Sequence, residues 1–269
     1  MLRALLEHDI KPDLVIGTSV GAMNATFLAF EPTAAGVARL AALWHNIADD
    51  DLFPGARFKT SWARMLMRGN RIFDNAGLRR TIESRLGRPR FEEARIPLGV
   101  VATELETGAE MLFTSGDLIG PLLASAAMPG IYPPVQIGER SYVDGGVANA
   151  VPIAPAVSMG ASKVYVLNCS GKHQHRRPLV RPMDYLLHAF MLSRAERLEI
   201  ERPLMAQKAE LIELPAPELS FTVPFTSMAF TPQLMKAGYE TTMRFLEVPR
   251  AAIQARSVVT PSQPVAAGD

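Results

Sequence analysis

"DLVIGTSVGAMNA", residues 13–25, sets a serine between two glycines where an apolar run gives way to small residues. Leu14, Val15 and Ile16 read as a short buried strand of a parallel sheet. Residues 22–30 are apolar nearly all round and read as a buried helix. Between them, Gly17-Thr18-Ser19-Val20-Gly21 fits G-x-S-x-G, the pattern of a serine on a sharp strand-to-helix turn. Side chains at Gly17 and Gly21 are expected to clash with strand and helix there. The turn would present the Ser19 hydroxyl above the sheet edge, with the positive end of the following helix directed at it. The Val20 N–H would then be placed to donate to a developing oxyanion. The competing reading is an ordinary tight turn, in which glycine and serine are common. The order strand, motif, helix favours the elbow.

A serine hydroxyl is a poor nucleophile unless a base takes its proton. "SYVDGGVANAVPI", residues 141–153, offers one. Asp144 follows a short apolar strand and precedes Gly145 and Gly146, which puts a carboxylate on a tight turn at a strand end, where ligand sites of α/β proteins gather. Read alone, Asp-Gly is more simply a turn aspartate bonded to its own backbone.

Outward from these two stretches, helical and strand patterns alternate. Leu2, Leu5 and Leu6 suggest a short amphipathic helix ended before Pro12, and Thr33 can cap a helix to about residue 45. Asn75 can cap another through residue 85, stopped by Gly87. Residues 96–117 read as two strands around Thr107-Gly108, followed by a helix from Asp117 to about residue 127. Residues 163–170 suggest a buried strand, residues 183–208 a helix interrupted at Pro203, "ELIELP" at 210–215 a late strand, and residues 231–245 a last helix. The fold class is α/β, a mostly parallel central sheet flanked by helices. One domain over residues 1–250 is expected, with a disordered tail at 251–269.

Composition narrows the function classes. Of 269 residues, 48% are hydrophobic and 20% charged, and 28 basic side chains balance 27 acidic ones to a net charge of +1. That balance carries no electrostatic footprint for nucleic acid. Cys169 is the one cysteine, so neither an intrachain disulfide nor a cysteine-rich metal site can form; after the apolar run 164–167 it is expected as a core thiol. No run of about 20 apolar residues suggests a membrane span. The charged start is not a signal peptide. A cytoplasmic protein with room for peripheral membrane contact is the expectation. His173 and His175 form an H-x-H without acidic neighbours, more simply a solvated basic loop than a metal site. Asp49, Asp50 and Asp51 lack the spacing of a calcium loop. The apolar stretch 219–230 suits either an acyl pocket or core packing.

Taken in order, the G-x-S-x-G serine and the D-G-G aspartate resemble the patatin-like phospholipases, a family of Ser-Asp dyad lipid acyl hydrolases without a catalytic histidine. The block "ASAAMPGIYPPVQIGERSYVDGGVANAVPI", residues 124–153, and "VVATELETGAEMLFTSGD", residues 100–117, extend the likeness, which covers about residues 1–246. The resemblance implies a three-layer α/β fold, Ser19 as nucleophile, Asp144 as general base, a lipid or other acyl ester as substrate, and no cofactor. The family's glycine-rich oxyanion loop, which precedes its serine, has no counterpart ahead of Ser19. Either the natural start lies upstream of Met1, the favoured expectation, or the short form is a weakened relative. Two further readings stay open. One is a lipid-binding protein that kept the fold without turnover. The other is an α/β-hydrolase triad of Ser19, Asp144 and His173 or His175, although that fold sets its serine after several strands.

Overall fold

The computed structural model describes residues 1–53, 72–169, 182–217 and 227–248. His173 and His175, most of the apolar stretch 219–230 and the expected tail at 251–269 lie outside these segments. The described residues form a mixed α/β fold. Helices α1 (Leu2–Glu7), α2 (Val20–Phe30), α3 (Ala34–Asn46), α4 (Asp49–Leu52) and α5 (Ala76–Leu86) surround or follow strand β1 (Val15–Thr18). Then come β2 (Leu98–Glu104), β3 (Glu110–Phe113), α6 (Ile119–Ser125), β4 (Val135–Ile137) and β5 (Arg140–Asp144). Helix α7 (Ile153–Ser158), β6 (Lys163–Val166), the long α8 (Pro182–Met205), β7 (Glu210–Glu213) and α9 (Thr231–Leu246) complete the order.

Strand β2 is the spine of the molecule. All seven of its residues are buried, as its Leu98, Val100, Val101 and Ala102 require. It pairs with β3 along one edge, antiparallel, from Val100 opposite Phe113 to Thr103 opposite Glu110. A strand has only two edges, so its other two partners share the remaining one. There β1 runs parallel, ending with Thr18 opposite Val101. Strand β5 takes over antiparallel, with Asp144 opposite Ala102. The C-terminal ends of β1 and β5 therefore meet head-on at adjacent positions of β2, which brings residues 19 and 144 together.

The central sheet is less parallel than its sequence suggests. Only β1 and β2 run parallel within it, while β3 and β5 are antiparallel to β2 and β4 is antiparallel to β5. Short connections impose two of these pairings, β2 with β3 and β4 with β5, because a tight turn can join only antiparallel neighbours. Gly108 at φ 72° turns the chain between β2 and β3, and Gly138 at φ 61° does so between β4 and β5. The strand expected at 163–170 is shorter, only partly buried, and pairs in parallel with β7 in a separate two-stranded sheet. Cys169, expected in the core, is exposed beyond it.

The main core lies between the central sheet and α2, α3, α5 and α6, with Met23, Leu40, Ile82, Val100, Leu118, Leu122 and Leu123 at its heart. Helix α3 starts as expected: Thr33 Oγ1 accepts from the Gly36 N–H at 3.1 Å, and Val37, Leu40 and Leu43 form its inward stripe. A smaller core of Ile153, Val166 and Leu198 joins α7, β6 and α8. One carboxylate ties this second unit to the turn after β5. Glu201, on α8, accepts from Asn149 Nδ2 at 3.2 Å and from the Ala154 N–H in the first turn of α7 at 2.7 Å. Glu201→Ala leaves both donors without that acceptor and is expected to cost about 1–3 kcal/mol. A lowered urea midpoint with unchanged slope is the expected reading; an unchanged midpoint would show that the link carries no stability.

Candidate functional site

The site begins with a strained residue. Ser19 has φ 57° and ψ −126°, and only Asp9 shares a positive φ among the described non-glycine residues. Such a backbone costs on the order of 1–3 kcal/mol and persists only where its surroundings enforce it. Three features do so here. The strand runs through Thr18 and α2 starts at Val20, so the reversal is confined to Ser19. Gly17 passes so close to the first turn of α2 that a Cβ on it would lie 2.2 Å from the Gly21 carbonyl oxygen. The Ser19 N–H donates to Ser125 Oγ at 2.8 Å, and the Ser125 hydroxyl donates to the Val101 carbonyl at 2.6 Å. Ser125 thus fastens the elbow to the spine strand.

Gly21 departs from expectation. A Cβ there would meet nothing within 4 Å, so the clash foreseen on both sides of the serine exists at Gly17 alone. What the first turn of α2 does provide is an exposed amide. The Val20 N–H makes no hydrogen bond among the described residues, and Val20 is 56% exposed. It stands beside Ser19 at the positive end of the helix, as an oxyanion donor would.

Asp144 ends β5 and is 1% exposed. Its Oδ2 accepts from the Ser19 hydroxyl at 2.7 Å and its Oδ1 from the Gly146 N–H at 2.7 Å. Both motif stretches read from the sequence therefore converge on one hydrogen bond. Gly145 lets the turn sink onto β2, since a Cβ there would lie 2.2 Å from the Val101 carbonyl oxygen and 2.9 Å from Thr18 Cγ2. Gly146 is tight for a different reason: a Cβ there would lie 2.9 Å from Asp144 Oδ1 and 3.1 Å from Arg194 Cζ. Thr103, buried on β2, fixes the turn from below. Its hydroxyl donates to the Asp144 carbonyl at 3.0 Å and accepts from the Ala148 N–H at 3.1 Å. Thr18 Oγ1 donates to the Asn149 carbonyl at 2.9 Å, lacing the two loops together.

Burial dominates the electrostatics of Asp144. Desolvation pushes its carboxyl above the usual carboxylate range, while the Ser19 hydroxyl, the Gly146 N–H and the positive charge of Arg194 pull it back. Ser125, Thr103 and Arg194 were not singled out by sequence reasoning. Ser125 lies in the stretch 124–153 that carries the family resemblance, but nothing in its spacing points to a residue 106 positions away. A surface cleft of about 250 Å³ between Phe91, Arg95, Leu98 and Met159 sits at the N-terminal end of β2 and takes no part in this site. Among the described residues no group of three or more His, Cys, Asp or Glu side chains could hold a metal ion, and no helix is long and apolar enough to cross a membrane.

A family model described as patatin-like phospholipase matches residues 1–157. The chain belongs to the patatin-like phospholipase family. Relatives agree. An uncharacterised NTE family protein of Mycobacterium tuberculosis is 28% identical over 106 residues, 39% of this chain and 28% of the relative. Patatin-like phospholipase domain-containing protein 7 of Rattus norvegicus is 26% identical over 180 residues, 65% of this chain and 12% of its own. Lysophospholipase NTE1 of Mycosarcoma maydis is 26% identical over 176 residues, 62% of this chain and 9% of its own. The chain thus matches between 9% and 28% of the length of these relatives. At the level of the family they support a lipid hydrolase.

The glycines separate by cause. Gly17→Ala and Gly145→Ala each force a Cβ against a backbone carbonyl and are expected to destabilise by at least 1–3 kcal/mol, roughly the cost of overpacking. Gly21→Ala meets open space inside a helix and is expected to be neutral or stabilising by up to about 1 kcal/mol. Thermal melts of the three variants check this.

Proposed function

We propose that this patatin-like phospholipase family member is a serine lipid acyl hydrolase that cleaves carboxylic esters of phospholipids or related acyl lipids through an acyl-Ser19 intermediate. The observation that carries the reading is the 2.7 Å hydrogen bond from the Ser19 hydroxyl to Asp144 Oδ2, made at a strained elbow. Ser19 Oγ attacks the ester carbonyl while Asp144 accepts its proton. The Val20 N–H donates to the tetrahedral oxyanion. Collapse breaks the ester C–O bond, and the departing alcohol takes the proton from Asp144. A water then gives its proton to Asp144 and attacks the acyl carbon. Release of the fatty acid returns the proton to Ser19.

A carboxylate is a weak base for a serine, and burial is what strengthens it. A buried Asp144 binds protons more tightly than an exposed one, and general bases work best with a pKa close to the operating pH. The direct bond between serine and carboxylate also bears on the triad reading. A relay imidazole would have to stand between the two groups, and they already touch. The family supports a lipid substrate, and the scheme uses no cofactor.

Hydrolysis of a short-chain lysophospholipid tests the roles. Ser19→Ala should reduce turnover to background, and Asp144→Asn should lower kcat by about 10²–10⁴. Activity should fall on acidification with a midpoint above the ordinary carboxylate range, since protonation disables the base. A flat profile between about pH 4 and 8 would contradict the role of Asp144.

Stability should move the other way. The carboxyl binds its proton more tightly in the folded than in the unfolded chain, so ionisation of Asp144 costs stability as pH rises from the unfolded carboxylate's range through the higher folded one. Asp144→Asn is therefore expected to melt, at neutral pH, no lower than the parent while losing activity. A melt several degrees lower would show that the charge is structurally required.

A further inference from the structure

Helix α8 carries a cation to the rim of this site. Arg194 is half-buried, with Cζ 5.2 Å from the centre of the Phe190 ring. Its guanidinium packs against Gly146, where a Cβ would lie 3.1 Å from Cζ and 3.2 Å from Nε. It makes no hydrogen bond or ion pair among the described residues. Burial opposes its protonated form while the negative charge of Asp144 favours it, and both oxygens of that carboxylate already accept, Oδ2 from Ser19 and Oδ1 from Gly146. Neighbouring arginines on the same helix are treated differently. Arg197 pairs with Glu110 and Glu201, and Arg202 with Glu199 and Glu213. Among the described residues, Arg194 alone of the three has no acceptor for its planar fork of donors, while partly removed from water. Unmet donors on a charged group are costly to leave in such surroundings.

We propose that Arg194 forms an anion subsite at the rim of the Ser19–Asp144 site, which receives the phosphate of a phospholipid headgroup. Position argues for a headgroup over the oxyanion. Arg194 approaches through Gly146, on the Oδ1 side of the carboxylate, whereas Ser19 holds Oδ2. The oxyanion would form on the carbon bonded to Ser19 Oγ, beside the Val20 N–H, whereas the contact that places Arg194 is with Gly146. In a glycerophospholipid the scissile ester and the phosphate share one glycerol, which lets one occupy the serine while the other reaches past the base. Guanidinium forks bind phosphate through paired hydrogen bonds. The inference rests on the acyl-lipid reading of the site and names the substrate class within it.

The test uses binding without turnover. In the Ser19→Ala protein, the affinities of octanoyl-lysophosphatidylcholine and mono-octanoylglycerol are measured by calorimetry, with and without Arg194→Gln. The phosphate-bearing lipid should lose about 10- to 100-fold in affinity, and the neutral one should change less than about twofold. Inorganic phosphate should weaken binding of the lysophospholipid to the protein that retains Arg194, relative to chloride at equal ionic strength, and leave the neutral lipid alone. This second measurement stands even if Arg194→Gln fails to fold. Equal effects on both lipids, no effect on either, or no competition by phosphate would overturn the subsite while leaving the acyl-lipid reading intact. If neither lipid binds at all, the acyl-lipid reading falls and the subsite with it.

Discussion

The head-on meeting of β1 and β5 on one edge of β2 is the constraint on which the rest depends. Because Thr18 faces Val101 and Asp144 faces Ala102, the serine after one strand and the carboxylate ending the other have nowhere to go but toward each other. The Val101 carbonyl sits at the junction. It accepts from the Ser125 hydroxyl and lies where a Cβ on Gly145 would have to be. The spine strand therefore supplies the template, and the hydroxyls of Ser125 and Thr103 lock both loops onto it.

Chemistry and stability pull in opposite directions at this junction. A strained backbone at Ser19 and a buried charge at Asp144 both cost free energy. The surrounding core and the hydrogen bonds from Gly146, Ser125 and Thr103 offset that cost. The same burial that raises the proton affinity of Asp144 makes it a stronger base. A more comfortable site, with an exposed carboxylate and a relaxed turn, would be a weaker catalyst in the scheme proposed above.

Much of this was legible in the chain. The apolar run, the serine between glycines and the apolar helix identify the elbow because each local signal points the same way. Asp-Gly-Gly identifies the second loop, and the family resemblance joins the two. The sheet's direction was only partly legible: the turn at Thr107-Gly108 marks one antiparallel pair, but the antiparallel pairing of β5 with β2 joins segments far apart in sequence and has no local signal. The supporting residues were hidden for a related reason. Ser125, Thr103 and Arg194 act through contacts between segments distant in sequence, and a serine inside an apolar helix or an arginine among other charges on α8 carries no local mark of its partner. The two glycines of the pentapeptide look equivalent on paper, yet only Gly17 is held against a neighbour.

The central claim is that Ser19 is activated by Asp144 through their shared hydrogen bond. Covalent labelling with a fluorophosphonate probe, mapped by mass spectrometry and followed against pH, tests it most directly. The account predicts a single modification at Ser19, absent in Ser19→Ala, whose rate falls as Asp144 takes up its proton and collapses in Asp144→Asn. Labelling that ignores both pH and the Asp144→Asn change, or a folded protein that does not label at Ser19, would contradict it.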